Sequence, residues 1–296
     1  MKYTIHATWL LFLTLLYCAS LSATSISMVY NLRIAHITRQ KIANNKYETV
    51  ALIFDRYQKK YSGIRQNFVG GMGSFIYNFK LGYFRVDGAI SHIHEITDDI
   101  TTFSGTETDD ILFTLGHKFE INDRARLTCS GLFSVPTHRI VTLRHVGFGY
   151  GQVGTGIQVD GSCTLNHTTA FLYATRYVHF FRRTAQDSIG NKYLFGIGNL
   201  GDVLVACKKS WAKHSLEFGY NAFVDFGTSI FPALDDIVTA NNLTRSIFYM
   251  VYEYTFFIKN VANRFIFNIA CATDHTPKVY GNKYIVLPWM AWEVAF

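Results

Sequence analysis

Alternation with a period of two is the feature that most narrows what this chain can fold into. The segment Leu216–Phe226 sets Leu216, Phe218, Tyr220, Ala222, Val224 and Phe226 on one face against Glu217, Gly219, Asn221, Phe223 and Asp225 on the other. Successive side chains of a strand point to opposite faces, so this is a strand with one apolar and one largely polar face. Arg264–Thr273 repeats the pattern, with Phe265, Phe267, Ile269 and Cys271 against Arg264, Ile266, Asn268 and Ala270. In Arg126–Val135 the apolar set is Leu127, Cys129, Gly131 and Phe133, facing away from Arg126, Thr128 and Ser130. Leu112–Phe119, Tyr83–His94 and Val153–Val159 follow the same rule less cleanly.

Extended along the chain, the alternation predicts strands near 47–57, 64–79, 83–94, 109–119, 125–135, 148–159, 163–176, 192–207, 214–226, 245–257, 264–273 and 284–296. Their connections alternate in length. Leu81-Gly82, Glu120–Arg124, Asp160-Gly161, Lys208–Lys213 and Lys259–Asn263 are short. Glu95–Thr108, Pro136–Gly147, Val178–Asn191, Gly227–Thr244 and Asp274–Lys283 are long. Met28–Ile34 also alternates. It is either a periplasmic or plugging segment or a further strand, and with one more strand it would raise the count from twelve to fourteen.

Composition decides where such strands reside. Hydrophobic residues make up 49% of the chain and charged residues only 17%, where soluble domains carry about a quarter charged. The one continuous apolar run, Ala7–Ala19, is shorter than the ~20 residues of a spanning helix. It follows Met1-Lys2-Tyr3 and precedes the small residues Ser20, Ser22 and Ala23, the layout of a secretory signal. Cys18 follows Tyr17, which fits a lipoprotein site poorly. Residues 1–23 are therefore expected to be a cleaved signal, 24–46 an N-terminal segment and 47–296 the folded body. In hydrocarbon every backbone N–H and C=O needs an internal partner, which strands supply only in a closed ring. The expected fold is all-β: a closed antiparallel transmembrane β-barrel of about twelve strands (alternatively fourteen), with short periplasmic turns and long extracellular loops.

The last segment places Met290, Trp292, Val294 and Phe296 on alternate positions, with Phe296 final. In this it resembles Gram-negative outer-membrane β-barrel proteins of the porin or channel kind, whose last strand ends in an aromatic read by the barrel-assembly machinery. The resemblance implies an outer-membrane location and an assembly signal at Phe296, Trp292 and Val294. The implied partners are outer-membrane lipid, lipopolysaccharide and the assembly machinery. The stretch Gly198–Val203 also resembles barrels linked to uptake of hydrophobic or aromatic compounds.

By parity the candidate lumen-lining residues are Arg85, Asp87, Lys118, Arg126, Glu217, Asp225, Glu253, Arg264 and Glu293, whose opposing charges are expected to pair across the bore. Tyr30, Tyr83, Tyr177, Tyr193, Tyr220, Trp211, Trp289 and Trp292 are candidates for interfacial girdles. Cys129, Cys163, Cys207 and Cys271 fall on apolar faces, as free thiols or with Cys163 and Cys207 bridged. His92 and His94 share a face at a loop edge, as a metal pair or as plain polar residues. His214 and Ser215 are adjacent and so cannot form a dyad. The glycines from Gly147 to Gly156 suit a crowded strand better than a dinucleotide loop. The stretch from Glu95 to Asp110 is acidic, whereas Arg139, Arg144, Arg182 and Arg183 make the next two loops basic and suited to lipopolysaccharide or an acidic solute.

No catalytic set, cofactor or metal is expected. A net charge of +7 without a basic tract does not suggest a nucleic-acid partner. The expected function is a narrow channel for small solutes. The alternatives are a surface-interaction or structural barrel working through its loops, and an outer-membrane lipid-modifying enzyme.

Overall fold

The computed structural model describes residues 47–61, 64–97, 100–108, 110–137, 152–181, 183–186, 192–195, 199–225, 243–274 and 284–296. The expected signal and the segment 24–46 lie outside them. The described residues form β1 (Tyr47–Tyr61), β2 (Ile64–Phe79), β3 (Gly82–Thr97), β4 (Ile100–Thr108), β5 (Ile111–Asn122), β6 (Ala125–Val135), β7 (Gly154–Asn166) and β8 (Thr169–Phe180). They continue with β9 (Arg183–Gln186), β10 (Lys192–Phe195), β11 (Asn199–Trp211), β12 (His214–Asp225), β13 (Leu243–Ile258), β14 (Val261–Asp274) and β15 (Tyr284–Ala295).

Every ladder is antiparallel, and the succession returns on itself. β1 pairs with β15 on one side and β2 on the other, and β2 pairs with β3. β4 and β5 both lie against the same edge of β3. Ile90 pairs with Thr108 and Asp87 with Leu112, so three steps on β3 face four on its neighbour. The extra residue is a β-bulge, and β4 is the upward prolongation of β5. The 13-stranded sheet thus closes as a ring of twelve, with β9 and β10 forming a separate hairpin.

Several boundaries differ from the sequence reading. Asp160-Gly161 is not a turn but lies within β7, and the turn is at His167-Thr168. Aspartate-glycine is a strong hairpin signal, yet a Cβ on Gly161 would lie 2.3 Å from the Arg126 carbonyl oxygen and 2.5 Å from the Tyr173 hydroxyl. The glycine is required by close packing, not by a turn. The turn itself is made by Asn166, whose Oδ1 accepts from the Thr168 amide at 3.0 Å. Asn122 does the same at the β5–β6 turn, accepting from the Arg124 and Ala125 amides at 2.9 and 2.8 Å. The expected strand 192–207 is divided between β10 and β11. The expected loop 95–108 is the upper end of β3 and the whole of β4.

The two faces separate as the alternation requires. Phe75, Phe84, Leu115, Phe133, Phe218 and Phe248 are exposed on the outer face, while Arg85, Asp87, Glu217, Glu253, Arg264 and Glu293 are buried on the inner one. A soluble protein would reverse this arrangement. A continuous exposed apolar surface needs a partner that is itself apolar, and around a closed barrel that partner is lipid.

Candidate functional site: the barrel interior

The inner face carries two polar regions, each positioned by the ladder register. The first crosses seven strands. Asn78 pairs with Tyr83, Tyr83 with Gly116, Gly116 with Ser130, Ser130 with Gln158, Gln158 with Arg176 and Arg176 with Asp202. Within this band Lys118 Nζ donates to Asn78 Oδ1 at 3.2 Å and lies 5.5 Å from the Tyr83 ring centroid. The Tyr83 hydroxyl and Ser130 Oγ are 3.1 Å apart. Gln158 Nε2 donates to Asp160 Oδ1 at 2.9 Å, and Arg176 Nε to Asp202 Oδ2 at 2.9 Å. One row higher, Arg85 Nε donates to Asp87 Oδ1 at 2.7 Å.

The second region joins β11 to β15. Glu253 Oε2 accepts from Lys208 Nζ at 2.6 Å and from Ser215 Oγ at 2.8 Å, with Arg264 Nη1 at 3.6 Å. Arg264 Nε also donates to Glu293 Oε2 at 2.8 Å, so four charges on four strands form one chain. Beside them the Tyr249 hydroxyl donates to Glu217 Oε1 at 2.9 Å. Tyr249 and Tyr83 share a device: each ring lies over a glycine on the next strand. A Cβ on Gly219 would fall 2.1 Å from Tyr249 Cζ, and one on Gly116 would fall 2.4 Å from Tyr83 Cε1. The missing side chains let the tyrosines lie flat along the wall and reach polar partners. Leu172, Ala174, Leu204 and Ala206 form a buried apolar strip on β8 and β11.

Burial sets the energetics. Arg85, Asp87, Glu217 and Glu293 are 0% exposed, so the charges at mid-barrel are withdrawn from bulk solvent. Charges taken out of water are tolerated only when paired and hydrogen-bonded, as most of these are.

Of the nine sequence candidates, Arg85, Asp87, Glu217, Glu253, Arg264 and Glu293 are brought into these regions, and Lys118 is half-buried beside Asn78. Arg126 shares the inner parity but is exposed near the short-turn end. Asp225 ends β12, and its side chain is outside the described set. Arg176, Asp202, Lys208, Asp160 and Gln158 were missed. The alternation in the sequence places Lys208 and Asp160 in turns. Correct strand ends would have placed Asp202, Leu204, Ala206 and Lys208 on one parity.

Other candidates resolve individually. Tyr83 belongs to the interior, not to a girdle, because its parity in β3 matches Arg85 and Asp87. Tyr177, Trp211 and Trp292 are exposed, with Trp292 Nε1 donating to Asn263 Oδ1 at 3.1 Å. Phe296 is exposed, and Val294 shares the outward parity of Trp292. His214 Nδ1 lies 2.7 Å from the Tyr252 hydroxyl, while Ser215 bonds Glu253 inside, so the two do stand on opposite faces. The ring nitrogens of His92 face Thr106 Oγ1 at 3.2 Å and Ser104 Oγ at 3.4 Å. The four cysteines are free. Cys163 and Cys207 both pair with Phe171, one on each side of β8. Two strand spacings separate them by roughly 10 Å, beyond disulfide reach. Gly154 and Gly156 lie in β7, and a Cβ on Gly156 would fall 2.3 Å from the Tyr177 carbonyl oxygen.

No family model matches the chain. No curated protein matches it either. Solved structures do match, through architecture. An outer-membrane channel from Pseudomonas putida F1 superposes with a TM-score of 0.67 at 10% identity, over 86% of this chain and 97% of that one. The fold is that of an outer-membrane β-barrel. The translocator domain of the autotransporter NalP from Neisseria meningitidis also matches, with a TM-score of 0.52 at 10% identity, over 90% of this chain and 92% of that one. One of these barrels is a channel and the other a translocator domain, so the shared architecture does not choose a function for this barrel.

Proposed function

We propose that this barrel is a narrow outer-membrane channel for small solutes. The carrying observation is the inner face. Among the described residues, seven buried carboxylates (Asp87, Asp110, Asp160, Asp202, Glu217, Glu253 and Glu293) and four buried cations (Arg85, Arg176, Lys208 and Arg264) line it, together with half-buried Lys118. A barrel serving only to hold its loops could fill with apolar side chains at lower desolvation cost. Once its ion pairs part, a polar lining supplies partners to a hydrated solute, and the excess of carboxylates among the described residues favours cations. Phe296, Trp292 and Val294 are read here as the segment that the assembly machinery engages. The long connections are read as extracellular and open to lipopolysaccharide. The resemblance of Gly198–Val203 would extend the solutes to hydrophobic or aromatic ones. In β11 that stretch places Asp202 inward against Arg176.

The complete burial of the charges at mid-barrel favours a second reading, a non-conducting barrel that presents its upper strands and loops to partners. Planar-bilayer recording separates the two. Purified protein should give small discrete conductance steps with a reversal potential displaced toward cations. Lys208→Met combined with Glu253→Leu should enlarge the steps by removing a charge chain from the bore. A bilayer that stays silent over the whole voltage range, with protein verified as inserted, overturns the channel reading in favour of the second. A lipid-modifying enzyme has less support, since Ser215 is committed to Glu253 and separated from His214 by the strand wall.

A further inference from the structure

We infer that the short-turn end of the barrel is a binding ring for the phosphate headgroups of anionic glycerophospholipid in the facing leaflet; this rests on the reading that the chain spans a membrane. Five two-residue turns lie at that end: Lys80-Leu81, Asp123-Arg124, His167-Thr168, Ala212-Lys213 and Lys259-Asn260. Four of them carry a lysine or arginine (Lys80, Arg124, Lys213 and Lys259) and the fifth carries His167, and all five of these side chains are exposed. Lys209, outward on β11, adds one more exposed cation three residues from its turn, against exposed Asp123, while Arg126 and Glu120 are partners across the β5–β6 ladder on the inward parity. Apart from that pair, five lysines and arginines stand against one carboxylate among the described residues of this end.

A further observation bears on the ligand. In and beside the turns, Phe79, Leu81, Phe119, Leu165, Trp211 and Phe257 are exposed. These apolar groups mark the hydrocarbon boundary and leave the cations at headgroup depth. A Lys or Arg near an anionic lipid surface gains roughly five-fold in binding when fully engaged, and the gain falls with salt.

The test uses full-length protein refolded into nanodiscs of equal phosphatidylcholine and phosphatidylglycerol, with retained lipid counted by native mass spectrometry. Wild type should retain phosphatidylglycerol several-fold over phosphatidylcholine, and less as salt rises. Lys80→Gln, Arg124→Gln, Lys213→Gln and Lys259→Gln combined should abolish the preference. A control lacking the same number of charges outside these turns, with Arg139, Arg144, Arg182 and Arg183 changed to Gln, should keep it. No preference in wild type, a preference that survives in the turn variant, or equal loss in the control would each overturn the inference. Failure of the membrane reading looks different: the protein would not enter nanodiscs and would show no heat-dependent gel mobility.

Discussion

Glu253 is the residue at which the interior is most exposed to a single substitution. Its Oε2 receives Lys208, Ser215 and Arg264, and Glu293 already engages the other side of Arg264. Glu253→Ala removes the acceptor and leaves the Lys208 ammonium buried without its carboxylate, a change that costs about 3–5 kcal/mol. Lys208→Met with Glu253→Leu removes both charges and keeps Arg264 on Glu293. The single variant should lose its heat-resistant gel band at a clearly lower temperature than wild type, and the double variant should recover most of the difference. Equal loss in both would mean that Glu253 acts through packing and not as the partner of Lys208. This logic was partly legible in the sequence. Arg264, Glu253 and Glu293 followed from parity alone, because a charge on the polar face of an alternating strand has one place to go. Lys208 did not, because it precedes Lys209 and the Trp211–Lys213 region and so looks like the start of a polar turn. The strand runs three residues further, to Trp211, with Lys208 turned inward and Lys209 exposed.

At the scale of the element, strand existence was readable and strand ends were not. Alternation survives an error of two residues at a boundary, whereas the turn depends on which few side chains cap it. Asn122 and Asn166 close their turns through Oδ1, a local signal that asparagine in any polar stretch can imitate. Asp160-Gly161 was the stronger turn signal by type and still failed, because packing against Tyr173 requires the glycine inside β7. The upper hairpins differ for another reason. β3 extends to Thr97 and β4 begins at Ile100, prolonging paired strands well beyond the ~9–11 residues that a membrane needs. The sidedness of these elements is directly measurable after Cys129, Cys163, Cys207 and Cys271 are replaced by Ser. Reporter cysteines at Thr102 and Thr184 should react with an impermeant reagent on intact cells. Reporters at Thr168 and Asn260, in the two-residue turns, should react only after the outer membrane is opened. Labelling of Thr168 on intact cells would place the β7–β8 turn outside and reverse the orientation proposed for the barrel.

For the whole molecule the decisive relation is the one between its first and last described barrel strands. The outer face is apolar and the inner face charged, and this division is stable only if the sheet has no edge, because an open edge in lipid would leave a row of backbone groups unpaired. β1 against β15 closes that edge, with Thr49 facing Val294 and Ala51 facing Trp292. A barrel of fourteen strands, with Met28–Ile34 as one of them, would insert backbone between these two and separate them. Antiparallel partners sit about 4.5–5.5 Å apart between Cα atoms, within disulfide range. Residues two positions out of register are farther, about 7–8 Å. In a background lacking the native cysteines, Thr49→Cys with Val294→Cys should therefore oxidise to a bridge in the folded, detergent-solubilised protein. The bridge would appear as a reducible change in mobility after heating and as a linked peptide pair in mass spectrometry. Thr49→Cys with Trp292→Cys, displaced along the same strand, should bridge poorly under the same conditions. Efficient bridging of the first pair and not the second would fix both the closure and its register. If neither bridges while Ser246→Cys with Thr273→Cys, partners across the β13–β14 ladder, does so readily, another strand stands between β1 and β15 and the twelve-strand ring is wrong.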